Sequence, residues 1–247
     1  EQCYFGGQFF RHYVKVPVYQ ISTGIHDVQM SMHGSFERCS RCGALQKLGS
    51  YCQCTDFSTV KTTDTAMADQ RIILVDELDN ILGYEEKLKA HEDGALHRAF
   101  SIFVVNSKGE MMLQKRAADK YHSGNLWTNT CCSHPVENEI IDTTIHKRLQ
   151  LEMGFDCSMA PLFTFIYKAE FENGLVEHEL DHVYLGYYDG DANPSPEEAS
   201  DWKWMDIMEV KKDMQRNPHL YTYWFKHCYN FFCQLYADRM MVQARRA

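Results

Sequence analysis

The chain has no apolar run near the roughly 20 residues that a membrane-spanning helix needs. Residues 1–7 show none of the basic-then-apolar pattern of a secretory signal. A cytoplasmic protein without a membrane partner is therefore expected. Basic side chains are also short: 25 Lys and Arg stand against 34 Asp and Glu, a net charge of −9. A protein that coats nucleic acid must replace phosphate counterions with a basic face, so nucleic acid is excluded as a general partner. Repeats and low-complexity tracts are missing. What remains, 45% apolar and 24% charged residues, is globular composition with enough apolar material for one sizeable core and a small module. A monomer is the expectation. The chain opens on Glu1 rather than Met, which suits a fragment or a processed product.

The 10 cysteines are unevenly spread: Cys39, Cys42, Cys52 and Cys54 crowd one stretch, and Cys131 and Cys132 are adjacent. A disulfide framework is typically distributed over a short secreted domain, so clustering points to metal or catalysis. The first group, Cys39-x2-Cys42-x9-Cys52-x-Cys54, suits a tetrahedral structural zinc of four thiolates, which leaves no open position for catalysis. The alternative is an unstructured, redox-exposed extension. A polar stretch over 55–65 reads as a linker, dividing the chain into an extension, 1–66, and a main domain, 67–247.

In the main domain the patterning predicts strands over 72–75 and 81–84, a hairpin of 99–105 and 111–115 around Asn106-Ser107-Lys108-Gly109, and a helix over 140–153 stopped by Gly154. Strands over 163–171 and 175–188 flank Glu172-Asn173-Gly174. A short strand over 201–205 precedes two helices split near Pro218. Mixed strands with few helices indicate an α+β fold, a sandwich of helix, sheet and helix layers.

Several residues could carry chemistry. Cys132, two positions before His134, could be a nucleophile, an acid or a metal neighbour; a buried structural cysteine beside a loop histidine is the plainer reading. Glu177 and Glu179 alternate with His178 on a strand and share one face. With His91, His97 and His134 they form a set able to encircle one divalent ion. Arg148 and Glu152 share a helix face, as a surface ion pair would. Lys87, Arg116 and Lys120 are either solvated charges or, if convergent, a receptor for an anion such as a diphosphate. His178-Glu179-Leu180-Asp181-His182 fits the zinc-protease pattern H-E-x-x-H, but strand-favouring neighbours deny it the helix that this motif requires.

Taken in order, the stretches Leu96-His97-Arg98-Ala99-Phe100-Ser101, Trp127-Thr128-Asn129-Thr130-Cys131-Cys132-Ser133-His134-Pro135, 148–154, Gly174-Leu175-Val176-Glu177-His178-Glu179 and Tyr223-Trp224-Phe225 resemble the type 1 isopentenyl-diphosphate isomerases, a branch of the Nudix fold. The resemblance spans about 70–235 and leaves 1–66 outside. It implies a Nudix-like α/β/α sandwich with a mixed sheet, and an isomerase of isoprenoid-precursor synthesis whose partner is a small diphosphate. It implies that His91, His97, His134, Glu177 and Glu179 hold a tightly bound Mn2+ or Zn2+, with His91 in a stretch of variable length. It further implies that Glu152 holds Mg2+, and that Lys87, Arg116, Lys120 and Arg148 bind the diphosphate. Cys132 and Glu179 are then the catalytic pair, Tyr167 assists, and Trp224 faces the cationic intermediate. The other reading within the fold is a pyrophosphohydrolase. Its frame G-x5-E-x7-R-E-U-x-E-E-x-G-U, aligned on Gly154, places Ser133, Lys147, Arg148 and Leu151 where Gly, Arg, Glu and Glu are wanted, leaving Glu139 and Glu152 of the acidic set. Such a depleted cluster is poorly equipped to activate water. A catalytically dead scaffold would have lost Cys132, Glu179 or the histidines, and all are present.

Overall fold

The computed structural model describes residues 71–244 and, before them, the backbone of five short strands: β1 (Tyr13–Val14), β2 (Val18–Ile21), β3 (Val28–Ser31), β4 (Phe36–Arg38) and β5 (Leu45–Lys47). Cys39, Cys42, Cys52, Cys54 and the boundary at 66/67 lie outside the described residues. From residue 71 the order is β6 (Arg71–Val75), β7 (Ile81–Glu86), α1 (Lys87–Asp93), β8 (His97–Val105), β9 (Glu110–Arg116), β10 (Trp127–Thr128) and β11 (Cys131–Ser133). There follow α2 (Ile141–Met153), β12 (Met159–Glu170), β13 (Val176–Tyr187), β14 (Ala199–Asp206), α3 (Ile207–Arg216), a short 3-10 turn (Pro218–Leu220) and α4 (Tyr223–Ala244).

β8 is buried along almost its whole length, as a strand covered on both faces must be. Its alternation divides the core. Phe100, Ile102 and Val104 pack with Ile145, Leu149 and Met153 of α2, while Phe103 and Val105 pack with Phe165 of β12 and Phe225 and Phe232 of α4. Helix layers therefore cover both faces, as the α+β sandwich requires. β8 and β13 run parallel, whereas β12–β13, β8–β9 and β9–β14 are antiparallel, so the sheet is mixed. No helix among the described residues is long and apolar enough to cross a membrane.

α2 ends where its sequence stops it. Gly154 has φ 78°, and a Cβ there would also lie 2.4 Å from the carbonyl oxygen of Asn193, so the position excludes a side chain twice over. α3 starts on Asp206, whose carboxylate accepts from the backbone N–H of Met208 and Glu209. From residue 71 onward, a helix and two strands were not foreseen. The α1 helix has only 7 residues, too short for a periodic pattern to show, and the strands β10 and β11 have 2 and 3. α1 is closed by Gly94 in the left-handed conformation, φ 62°.

Candidate active site

Strand register builds the first cluster. Glu179 stands opposite His97 in the parallel β8–β13 ladder and opposite Tyr167 in the antiparallel β12–β13 ladder. Phenol, carboxylate and imidazole thus share one row across three strands. Glu177, two residues earlier, lies on the same face. α1 contributes Lys87 and His91, one helical turn apart, and His134 follows β11.

The resulting contacts are close. His91 Nε2 lies 3.0 Å from Glu177 Oε2, His97 Nε2 lies 3.6 Å from the same oxygen and 3.9 Å from Glu179 Oε1, and His134 Nε2 lies 2.8 Å from Glu179 Oε1. Donor atoms of His91, His97, His134 and Glu177 lie within 4.8 Å of one another. The Tyr167 hydroxyl donates to Glu179 Oε2 at 2.8 Å.

Whether this set suits a divalent ion is decided by the ring nitrogens facing outward. His91 Nδ1 is 2.6 Å from the Lys87 carbonyl and His97 Nδ1 is 2.8 Å from the Ala95 carbonyl. Carbonyls only accept, so each Nδ1 carries the hydrogen and each Nε2 turns a lone pair inward. His97 Nε2 and Glu177 Oε2 are buried without hydrogen bonds. Lone pairs and a carboxylate oxygen aimed at one point repel unless a cation stands between them, and the donor set fits one.

Charge is distributed unequally between the two carboxylates. Burial opposes ionisation of Glu177, but the close contact with His122 acts the other way and the group is held well below the usual range. Burial, together with the negative charges of Glu177 and Asp181, pushes Glu179 well above it. Burial and repulsion from Lys87 and His97 hold His134 well below the ordinary imidazole value.

A cavity of about 190 Å³ opens beside this cluster. β11 alternates: Cys131 points into the α2 core, while Cys132 lines the cavity. Burial pushes the Cys132 thiol up to about 12 despite the nearby Arg116 guanidinium, so it keeps its proton at neutral pH. Trp224, in the first turn of α4, donates its indole N–H to Asn129 Oδ1 at 3.3 Å and turns its ring to the cavity. Lys87, Arg116, Lys120 and Arg148 converge on the same space. They are not scattered solvated charges. Nor do Arg148 and Glu152 form a surface pair: Arg148 Nε and Nη2 contact Glu152 Oε1 at 3.0 and 2.6 Å, and the Glu152 side chain is 3% exposed. The Glu152 carboxylate therefore lies buried at the edge of the cavity.

With that geometry in place, the relatives can be compared. The NUDIX domain model matches residues 95–225. An isopentenyl-diphosphate Delta-isomerase 2 from Aromatoleum aromaticum is 51% identical over 162 residues, covering 66% of this chain and 85% of that protein. Isopentenyl-diphosphate Delta-isomerase 1 of the same organism is 49% identical over 66% of this chain and 91% of the relative. The Burkholderia multivorans isopentenyl-diphosphate Delta-isomerase is 46% identical over 65% and 90%. The chain belongs to the isopentenyl-diphosphate Delta-isomerase family, on a NUDIX fold.

Within this isomerase-family chain the remaining residues of the hydrolase frame lead elsewhere. Glu139 accepts from the Val136 backbone N–H at 3.2 Å and from Lys147 at 3.4 Å, and it is not among the cavity-lining residues. Leu151, at a metal-binding glutamate position of that frame, is 55% exposed. The H-E-x-x-H histidines are on a strand, as expected. His178 Nδ1 contacts the Gly94 carbonyl and His182 Nε2 lies 3.1 Å from Asp79.

Sequence reasoning missed three contributors. His122 contacts Glu177 Oε1 at 2.6 Å, Tyr121 brings its hydroxyl to 3.5 Å from His91 Nε2, and Glu198 forms ion pairs with Lys120 and Arg148. His122 and Tyr121 sit in the loop between β9 and β10, where no periodicity marks a side chain as inward-facing. Glu198 follows a Pro-rich break that reads only as a turn.

Proposed function

We infer that the chain interconverts isopentenyl and dimethylallyl diphosphates, a step of isoprenoid-precursor synthesis. A proton is added to the terminal methylene carbon, leaving a tertiary carbocation, and a proton is lost from the carbon next to the oxygen-bearing methylene. The double bond moves and no other bond breaks. The reading is carried by one observation: Cys132 and the Tyr167–Glu179 pair line a single cavity with Trp224 and the convergent cations.

Cys132 and Glu179 are the two proton-transfer groups, with Tyr167 holding Glu179 through its hydroxyl. The Trp224 ring faces the developing cation, an interaction worth about 2 kcal/mol when desolvated. Lys87, Arg116, Lys120 and Arg148 hold the diphosphate away from the reacting carbons. Water must be kept from the cation, which it would trap as an alcohol, and Tyr167 and Trp224 shield that part of the cavity. His91, His97, His134, Glu177 and Glu179 would hold one Mn2+ or Zn2+, and Glu152 one Mg2+ beside the diphosphate. When bound, the first ion orients Glu179 and stabilises its anionic form, and the second neutralises phosphate charge. The protein acts as a cytoplasmic monomer. Cys39, Cys42, Cys52 and Cys54 would hold a structural zinc; removing residues 1–66 should cost one zinc per chain by metal analysis, and unchanged zinc would sink that assignment.

The experiment is proton NMR of the metal-loaded protein with isopentenyl diphosphate in deuterated water. Dimethylallyl diphosphate carrying deuterium should form, and Cys132→Ala should block it. Release of phosphate without alkene movement would overturn the reading in favour of hydrolysis.

A further inference from the structure

His122 belongs to none of the groups assigned so far, yet it is buried and lines the cavity. Its Nε2 lies 2.6 Å from Glu177 Oε1. Its ring stacks on Phe171 at 4.6 Å and 15°, and stands edge-on to Trp224 at 5.9 Å and 90°. The loop that carries it is held in place on three sides. Asn173 Nδ2 donates to the Tyr121 carbonyl at 3.0 Å, Arg116 Nη2 donates to the His122 carbonyl at 3.3 Å, and Asn125 N–H donates to the Arg116 carbonyl at 3.1 Å. Ser123 and Asn125 both adopt positive φ, 54° and 63°. Such backbone conformations are uncommon for non-glycine residues and persist where the surroundings enforce them.

The tautomer follows from the partners. A carboxylate oxygen only accepts, so Nε2 carries the hydrogen directed at Glu177. Nδ1 is then the acceptor for the Ser123 hydroxyl, 3.2 Å away. One oxygen of Glu177 is thereby held in a close polar contact with His122, short of hydrogen-bond geometry. The other, Oε2, is the atom left without a hydrogen bond and faces His91 and His97. His122 lies outside the tight group of donor atoms formed by His91, His97, His134 and Glu177. It is placed to act on that group through Glu177 rather than to join it.

We propose that His122 is a positioning residue: by holding Oε1 it makes Glu177 a one-oxygen ligand, presenting Oε2 to the divalent ion, while its ring braces Trp224. This rests on the reading that the His/Glu cluster binds a divalent ion. Outer partners of this kind typically change metal affinity about 10- to 100-fold.

The test uses the full chain and two variants that separate the polar contact from the ring. His122→Phe keeps the stacking surface and loses the donor. His122→Gln keeps a nitrogen donor and loses the ring. Mn2+ and Zn2+ dissociation constants, measured by chelator competition, should weaken roughly 10- to 100-fold in His122→Phe and stay near wild type in His122→Gln. With saturating metal, KM for isopentenyl diphosphate should hold in His122→Phe because no diphosphate-binding cation is touched. The opposite order, Phe tolerated and Gln damaging to metal affinity, would show a packing role and overturn the proposal. So would equal affinity in both variants and wild type. Failure of the wild type itself to bind either metal would instead overturn the reading of the cluster, and this proposal with it.

Discussion

Tyr167→Phe isolates one hydrogen bond at the heart of the proposed chemistry. The phenol is 4% exposed and donates to Glu179 Oε2 at 2.8 Å. The substitution removes a single oxygen and leaves a ring of the same shape between Phe165 and Tyr223, whose ring centres lie 5.6 and 6.0 Å away. Hydrogen bonds to charged groups contribute about 1.5–3 kcal/mol. If that bond is used while Glu179 transfers its proton, kcat should fall by the same free energy, roughly 10- to 150-fold at 1.4 kcal/mol per decade. KM should change little, because Tyr167 is remote in role from the diphosphate cations. The assay is steady-state conversion of isopentenyl diphosphate by the metal-saturated protein, with metal content measured on the same sample. A kcat near wild type with metal bound would refute the argument, since Glu179 would then need no help from the phenol. An equal loss in kcat and in metal occupancy would also refute it, by moving the effect from proton transfer to ligand geometry.

Other outcomes follow from the same contacts. Glu179→Gln should abolish turnover while near-native circular dichroism persists; retained turnover would remove Glu179 from the proton-transfer pair. Leu149→Ala, at a fully buried α2 position against Phe100 and Ile102, should cost about 2–5 kcal/mol in denaturant unfolding, and a loss under 1 kcal/mol would mean that the α2 layer is not the packed core described. Asp79 pins the β6–β7 turn to Arg98 at 2.7 Å and His182 at 3.1 Å. Burial opposes its ionisation, but the contacts with His182 and Arg98 prevail and hold it below its ordinary 3.8. A lowered carboxyl stabilises the fold above that value and loses its effect as pH falls through the lower, folded one. Asp79→Asn should therefore be less stable than wild type at neutral pH and converge with it in acid, as pH-dependent thermal melts would report; a gap that widened in acid would reverse the sign of the argument.

Which parts of this were legible in advance depends on how local each signal is. The α2 stop at Gly154, the strand carrying Glu177 and Glu179, and the break before α4 each rest on a few neighbouring residues. Alternation alone was enough to put both glutamates on one face. α1 escaped because its 7 residues span about two turns, so the helix that carries Lys87 and His91 had no periodic signature. His122 and Glu198 escaped because loop residues carry no facing signal at all.

The amino-acid order by itself determined which chemistries were available: histidine and carboxylate donors for a cation, a thiol, an indole and several cations on an acidic chain, set in strands and helices whose apolar faces required a layered fold. Only the tertiary structure decided which of these meet. The parallel register that puts His97 beside Glu179, and the antiparallel one that puts Tyr167 on its other side, join residues 82 and 12 positions apart through hydrogen bonds between strands. Their charge states follow from what surrounds them: histidine contact holds Glu177 ionised against its burial, while burial pushes Glu179 upward and keeps the Cys132 thiol protonated. These are properties of a shared low-dielectric space, and no single segment of the chain contains that space.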